Sequence, residues 1–293
     1  MVIYTIQNGG MAAKIDSLGA NLISLSQGGD EFIWQRDPAY WTGSAPVLFP
    51  VVGRNRDGVI TVGGRAYPMP KHGFVHDAEH TLAEQEENAV TFRYSSCPRT
   101  REMYPWEFDF ETAFTLQDGV LDTAFRITNR DQRDMYFCVG GHPAFNVPLT
   151  ADERFEDWQL EFEKEEALAT HPMQGEMILS QTEPVSVQGR ILPLRRSLFN
   201  KDALILDRLA SNWVKMYSKH TGRGVQVTFS DFNTLGIWTR AEPSDAPYVC
   251  IEPWIGMGFR DDEPTAALEE RYDVQKLAPG QTVCRAFQIR ILP

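Results

Sequence analysis

Alternation of apolar and polar residues with a period of two dominates this chain and leaves little room for helices. Val90, Phe92 and Tyr94 alternate with Thr91 and Arg93, and Phe108, Phe110 and Phe114 with Asp109, Glu111 and Thr115. Leu121, Thr123, Phe125 and Ile127 alternate with Asp122, Ala124 and Arg126, and Trp158, Leu160 and Phe162 with Gln159, Glu161 and Glu163. Side chains two apart on a strand share a face, so each run predicts a half-buried strand. The same reading applies to residues 225–229, 235–238, 248–251 and 287–291. The first 36 residues break into short apolar runs separated by Asn8-Gly9-Gly10, Gly19 and Gly28-Gly29, a meander of antiparallel strands. Residues 57–70 predict a hairpin turning at Gly63-Gly64. Residues 45–54 are apolar but interrupted by Pro46 and Pro50, which excludes a central strand and predicts an edge or a cleft lining. Only residues 264–272 have room for a helical turn or two. No linker, repeat or composition shift divides the chain. The expectation is an all-β chain, one domain over residues 1–293, built as a large twisted antiparallel β-sandwich of two packed sheets.

A length of 293 residues with 42% apolar content suffices for a sizeable core. The net charge of −12 argues against nucleic acid or an anionic membrane as the partner. No apolar run reaches membrane-spanning length, and the first residues carry no basic segment followed by an apolar one. Cys97, Cys138, Cys250 and Cys284 are far apart and form no CxxC pair. Three of them, Cys138, Cys250 and Cys284, lie within or beside apolar runs and are expected to be buried free thiols. These features point to a reducing, cytoplasmic setting. They leave the oligomeric state open between monomer and homodimer.

Two stretches carry the candidate chemistry. In Gly140-Gly141-His142-Pro143, a single histidine follows the run Met135–Val139, which reads as a buried strand, and is fixed by a proline. A histidine held in this way serves as an acid, a base or a ligand, or satisfies a carbonyl in the core. In Cys250-Ile251-Glu252-Pro253-Trp254, a lone carboxylate is bracketed by apolar residues. We read His142 and Glu252 as facing each other across one cleft. His72 beside Gly73 is read as facing a ligand, with His76 and His80 on the solvent side. The spacing of four between His72, His76 and His80 suits a metal site only on a helix, which Pro70 and Gly73 oppose, so no metal is expected. Arg54 follows Val51-Val52-Gly53 where the apolar segment opens, and a guanidinium there suits hydroxyl pairs or a carboxylate. Trp238 and Trp254 are either core residues or aromatic walls. The chain has neither a phosphate-binding loop nor a dinucleotide fingerprint, and no cofactor is expected.

Taken in order, these pieces resemble the aldose 1-epimerase (galactose mutarotase) family, in particular its divergent bacterial branch. The resemblance rests on Leu18-Gly19-Ala20, Phe32-Ile33-Trp34, 48–54, Met69-Pro70-Lys71-His72-Gly73-Phe74, Gly141-His142-Pro143-Ala144-Phe145, 202–205, Gly236-Ile237-Trp238-Thr239, 250–254 and Leu277-Ala278-Pro279-Gly280. It spans essentially the whole chain and is specific at the two histidine motifs and the Glu252 motif. It implies a β-sandwich whose concave face binds a monosaccharide. It further implies Glu252 as general base, His142 as general acid, and Arg54, His72 and Asp202 as holders of sugar hydroxyls. The branch commonly has Ala-Arg after His-Gly-Phe, whereas this chain has Val75-His76, which removes an arginine from that place.

The leading expectation is a cofactor-independent epimerase that interconverts α and β anomers of a free monosaccharide. A hexose-6-phosphate epimerase of the same fold would need extra cations at the cleft, with Arg54, Arg56, Lys71 and Arg99 or Arg101 as candidates. A sugar-binding protein without catalysis would not need both His142 and Glu252. A glycosidase would normally need two carboxylates flanking the bond, and only Glu252 lies in a convincing motif. Ordinary pKa values of about 4.3 and 6.5 place an ionised Glu252 beside a protonated His142 between those limits.

Overall fold

The expected alternation becomes a molecule made almost entirely of antiparallel strands in a computed structural model, which describes residues 1–243 and 245–292. Its largest sheet has nine strands. Their order is Ile191–Pro193, Trp158–Phe162, Trp213–Ser218, Gly224–Thr228, Thr282–Leu292, Val120–Asn129, Phe108–Gln117, Ala89–Ser95 and Thr81–Gln85. Buried and partly exposed residues alternate without a break through Phe108–Leu116, as a half-buried strand requires. The first residues form the expected four-stranded meander, and Val59–Val62 pairs with Arg65–Pro68 around Gly63-Gly64. The one α-helix among the described residues is Pro98–Arg101, and 264–272 holds only the short 3₁₀ turn Leu268–Glu270.

A six-stranded sheet lies against the large one. Its path is Leu204–Asp207, Thr234–Trp238, Tyr248–Ile255, Val139–Gly141 and Val47–Leu48, with Ala144–Asn146 also paired to Tyr248–Ile255. The proline-broken segment is therefore an edge, as its sequence requires. One face of this sheet, including Val139, Leu235, Ile237, Val249 and Ile251, joins the main core, which draws residues from Ile6 to Ile291. Phe49 anchors that core between the rings of Tyr104, Phe108, Phe110 and Phe137, with centroids 4.7–5.9 Å away. Aromatic pairs at such distances contribute about 0.5–1.5 kcal/mol each beyond simple burial.

The other face of the same sheet is covered too, and here the structure corrects the sequence reading. All eight residues of Tyr248–Ile255 are buried, as are four of the five in Thr234–Trp238, so neither has a polar solvent face. Their second face lies under a cleft. The run Met135–Val139 is also not one strand. Met135–Phe137 pairs with Gln275–Leu277, Val139–Gly141 joins the six-stranded sheet, and the Cys138 amide between them donates to the Pro50 carbonyl. All four cysteines are free, but Cys284 is exposed because its position falls on the outer face of Thr282–Leu292. His80 is not on the solvent side. It is buried, donates from Nε2 to the Val75 carbonyl at 2.9 Å and stacks on Tyr94. No helix among the described residues is long and apolar enough to cross a membrane.

Candidate active site

The register of one ladder brings the two specific motifs together. Gly140 pairs with Trp254 and Ala144 with Cys250, and this shared register sets His142 opposite Glu252. Because side chains alternate across a strand, His142 projects to the same face as Glu252 and Trp254, toward the cleft. The His142 amide donates to Pro46 and the Ile251 amide to Pro143, so the ladder continues through the proline. Gly140 and Gly236 flank Trp254 on the two neighbouring strands. A Cβ at either would lie 2.6–2.7 Å from the indole, so only glycine leaves room for that ring.

The cleft encloses about 640 Å³ and is lined by all seven residues singled out from the sequence: Arg54, His72, His142, Asp202, Trp238, Glu252 and Trp254. His142 Nε2 lies 3.1 Å from Glu252 Oε2, and both side chains are buried. His72 sits at φ +64° with its amide bonded to the Gly53 carbonyl. Its Nδ1 accepts the Gly53 N–H at 3.0 Å, which fixes the proton on Nε2 and makes that nitrogen a donor. The His72 ring stands at 89° to that of His142, with centroids 5.7 Å apart. Arg54 pairs with Glu176 at 2.9 Å at the cleft mouth, where both are about half exposed. Asp202 is an exposed rim residue at φ +78° whose Oδ1 accepts the Ala203 amide. Trp238 meets the His142 ring edge to face at 5.9 Å, and Trp254 forms the floor.

Sequence reasoning missed several residues of this site. Trp41 lines the cleft with its ring 5.2 Å from that of His142. It is held by the Trp34 indole, which donates to the Trp41 carbonyl. The only signal for it was an aromatic cluster in an irregular stretch. Buried Arg271 donates to the carbonyls of Val52, Arg54 and Met257 and to Asn55 Oδ1, stapling the loop that carries Arg54. The hairpin of Met173–Gln174 and Met177–Ile178 supplies another wall. At its base His171 donates from Nδ1 to the Leu179 carbonyl, while its Nε2 lies 3.2 Å from Asp207 Oδ1. Half-buried His76 lines the cleft rather than facing solvent, and Lys71 lines it too. Arg56 turns away to the Glu263 carbonyl, and Arg99 and Arg101 are not part of the lining.

Burial governs the electrostatics. It raises the Glu252 carboxyl well above the usual range, with Lys71 opposing and Asp202 reinforcing the shift. It lowers the His142 imidazole to about 3, and Lys71 adds to that shift. Both groups are pushed toward neutrality, which favours a neutral imidazole beside a protonated carboxyl. His72 is likewise held neutral, first by burial and then by Lys71.

With this geometry in view, known proteins show what the chain is related to. The aldose 1-epimerase family model matches residues 2–260. The chain belongs to the aldose 1-epimerase family. Its curated relatives include the plasmid and chromosomal forms of protein LacX from Lactococcus lactis subsp. lactis, each 34% identical over 98% of both chains. Among solved structures, a galactose mutarotase related enzyme from Lactobacillus acidophilus superposes with a TM-score of 0.94 at 31% identity, covering 100% of this chain and 98% of that one. A galactose mutarotase-like protein from Lactobacillus casei ATCC 334 gives 0.91 at 29% identity, covering 99% and 100%. Family membership makes this chain an isomerase of the epimerase type with a small sugar as its partner.

Proposed function

We propose that this epimerase interconverts the α and β anomers of a free monosaccharide, with His142 and Glu252 as the acid–base pair and with no metal or organic cofactor. The observation that carries the proposal is the 3.1 Å contact between their reactive atoms. The anomeric oxygen and the ring oxygen are bonded to one carbon, so the groups that serve them must be neighbours. Ring opening needs a base to take the proton from the anomeric hydroxyl as the C1=O double bond forms. The bond from C1 to the ring oxygen breaks, and an acid delivers a proton to that oxygen. Rotation about C1–C2 followed by the reverse steps yields the other anomer. In this reading Glu252 is the base and His142 the acid during opening. Opening converts a carboxylate and an imidazolium into a carboxylic acid and a neutral imidazole. Burial favours that second arrangement, so the cleft stabilises the proton distribution that accompanies the open-chain sugar. Starting the cycle moves one proton across the pair without changing its charge. Lys71 and the bound hydroxyls favour the ionised Glu252 that this requires.

Arg54, His72 and Asp202 are proposed to hold hydroxyls, and Trp41, Trp238 and Trp254 to pack against the apolar faces of the sugar ring. The uninterrupted core supports a single domain over 1–293, and the four free thiols support a cytoplasmic setting. A second reading, epimerisation of a hexose 6-phosphate, draws support from Arg36 and Lys71. Both line the cleft without an ion pair among the described residues. Polarimetry on fresh α-anomers of free and 6-phosphorylated hexoses separates the two. We expect the higher catalytic efficiency on a free sugar, and a clear preference for the phosphate moves the assignment to the second reading.

A further inference from the structure

Behind the cleft floor lies a third donor that the acid–base reading does not use. Cys250 lies two residues before Glu252 on the same strand and therefore on the same face. One donor atom from each of His142, Cys250 and Glu252 falls within a span of 4.8 Å, and all three residues are buried. Glu252 Oε2 is at hydrogen-bond distance from His142 Nε2, yet it is buried without a hydrogen-bond partner. The two atoms are close but not aligned with each other.

That arrangement has a physical counterpart in metal coordination. Two nitrogen or oxygen ligands about 2.0–2.1 Å from one tetrahedral ion lie roughly 3.3 Å apart, with lone pairs aimed at the ion rather than at each other. The observed 3.1 Å is close to that spacing. A thiolate, an imidazole and a carboxylate form a donor set suited to zinc, and three protein ligands leave a fourth position open. His142 and Glu252 border the cavity while Cys250 lies behind them, so an ion reaches the set from the cleft.

We propose that His142, Cys250 and Glu252 bind a thiophilic divalent cation such as Zn²⁺ in competition with the sugar, making the metal an inhibitor and not a cofactor. Binding releases the thiol proton and the one proton shared by His142 and Glu252, so two protons leave for each ion bound. With both lone pairs committed to the ion, the pair neither accepts nor donates a proton. The inhibitory part rests on the acid–base function proposed above, whereas the binding part does not.

The test uses Co²⁺ as an optical probe on the intact metal-free protein and buffered Zn²⁺ in the mutarotation assay. Wild type is expected to show a thiolate-to-cobalt absorption band in the near ultraviolet, which Cys250→Ser abolishes. Zn²⁺ is expected to inhibit wild type, and Cys250→Ser to raise the half-inhibitory concentration about tenfold or more while leaving the metal-free rate unchanged. Cys250→Ala, matched to the neighbouring Ala144 and Ala246, replaces the serine variant if its hydroxyl destabilises the site. Absence of the band, or equal zinc sensitivity in wild type and variant, overturns the proposal. Failure of the acid–base function would appear separately, as absent mutarotation in metal-free protein, and the cobalt band would still decide the metal site.

Discussion

Two imidazole–carboxylate contacts of nearly equal length, His142–Glu252 at 3.1 Å and His171–Asp207 at 3.2 Å, lie in surroundings that push their protons in opposite directions. Around His171 the neighbours satisfy the charged forms. Its Nδ1 donates to Leu179, and Asp207 accepts the Tyr272 hydroxyl at 2.7 Å and has Arg208 nearby. The Asp207 contact therefore raises the imidazole pKa, and the His171 contact helps lower the carboxyl to about 2. Around His142 the neighbours are Trp41, Trp238, a neutral His72 and the backs of buried strands, with Lys71 adding a like charge. His142 Nδ1 and Glu252 Oε2 lack hydrogen-bond partners, and although His171 Nε2 also lacks an aligned one, only at His142 and Glu252 does burial drive both groups toward neutrality. One pair is supported as a clasp at the base of a hairpin. The other is left unsupported, at a cost in stability, where a substrate can complete its hydrogen bonds. Such a difference is the expected mark of a functional site against a structural one.

The strongest way to break this contrast is to remove one member of each pair. His142→Asn is expected to lower the mutarotation rate on the order of 10²–10⁴-fold, and adding Glu252→Gln to it should not multiply the loss, because both groups serve one proton-transfer event. Asp207→Asn is expected to leave the rate within severalfold. It should instead destabilise the fold by on the order of 1.5–3 kcal/mol, through loss of the charge-assisted hydrogen bond with His171. Paired kinetics and denaturant unfolding on the same variants make the comparison. A rate collapse in Asp207→Asn without destabilisation would erase the distinction.

Stability against pH gives a smaller effect with opposite signs. His171 is raised and Asp207 lowered, so their contribution is full between the unfolded values of about 3.9 and 6.5. It is lost as the pH falls through about 2 and as it rises through the raised His171 value. Glu252 is raised by burial despite Lys71, so its cost grows as the pH climbs from about 4.3 through its folded value. Glu252→Gln is thus expected to melt a few degrees above wild type at neutral pH and to match it below about pH 4. Melting scans across pH check both, and equal melting curves at neutral pH contradict the Glu252 assignment.

How much of this contrast was legible in the sequence follows from which contacts are local. The strands, the Gly63-Gly64 hairpin and the proline-broken edge are written in spacing of one to four residues and were readable. His142 and Glu252 stood out because a lone polar residue in an apolar, proline-marked run is conspicuous. Their direct opposition depends on a strand register spanning 110 positions, which no local pattern encodes. Residues 248–251 looked half-exposed because alternation reveals faces but not what covers the second one. Trp41, Arg271 and His171 meet His142, Val52 and Asp207, partners far away in sequence, so they carried no readable spacing. His80 was misread for a different reason, since its partner Val75 is only five residues away but the irregular turn between them sets the direction of the ring.

The smallest expected effect is from metal removal. Exhaustive chelation should leave the rate unchanged or raise it slightly by clearing adventitious zinc from the cleft floor, as read by mutarotation before and after dialysis against a chelator. Loss of activity that a single added metal restores would make the ion a cofactor and contradict the acid–base account.

The central claim is that Glu252 moves the anomeric proton, and polarimetry of a fresh α-hexose with wild type and Glu252→Gln side by side tests it most directly. Glutamine keeps the shape of the side chain and its hydrogen-bonding capacity but cannot accept the proton. The account predicts a rate about 10²–10⁴-fold lower with sugar affinity largely retained. Near-normal mutarotation by Glu252→Gln of every sugar the protein binds would contradict it.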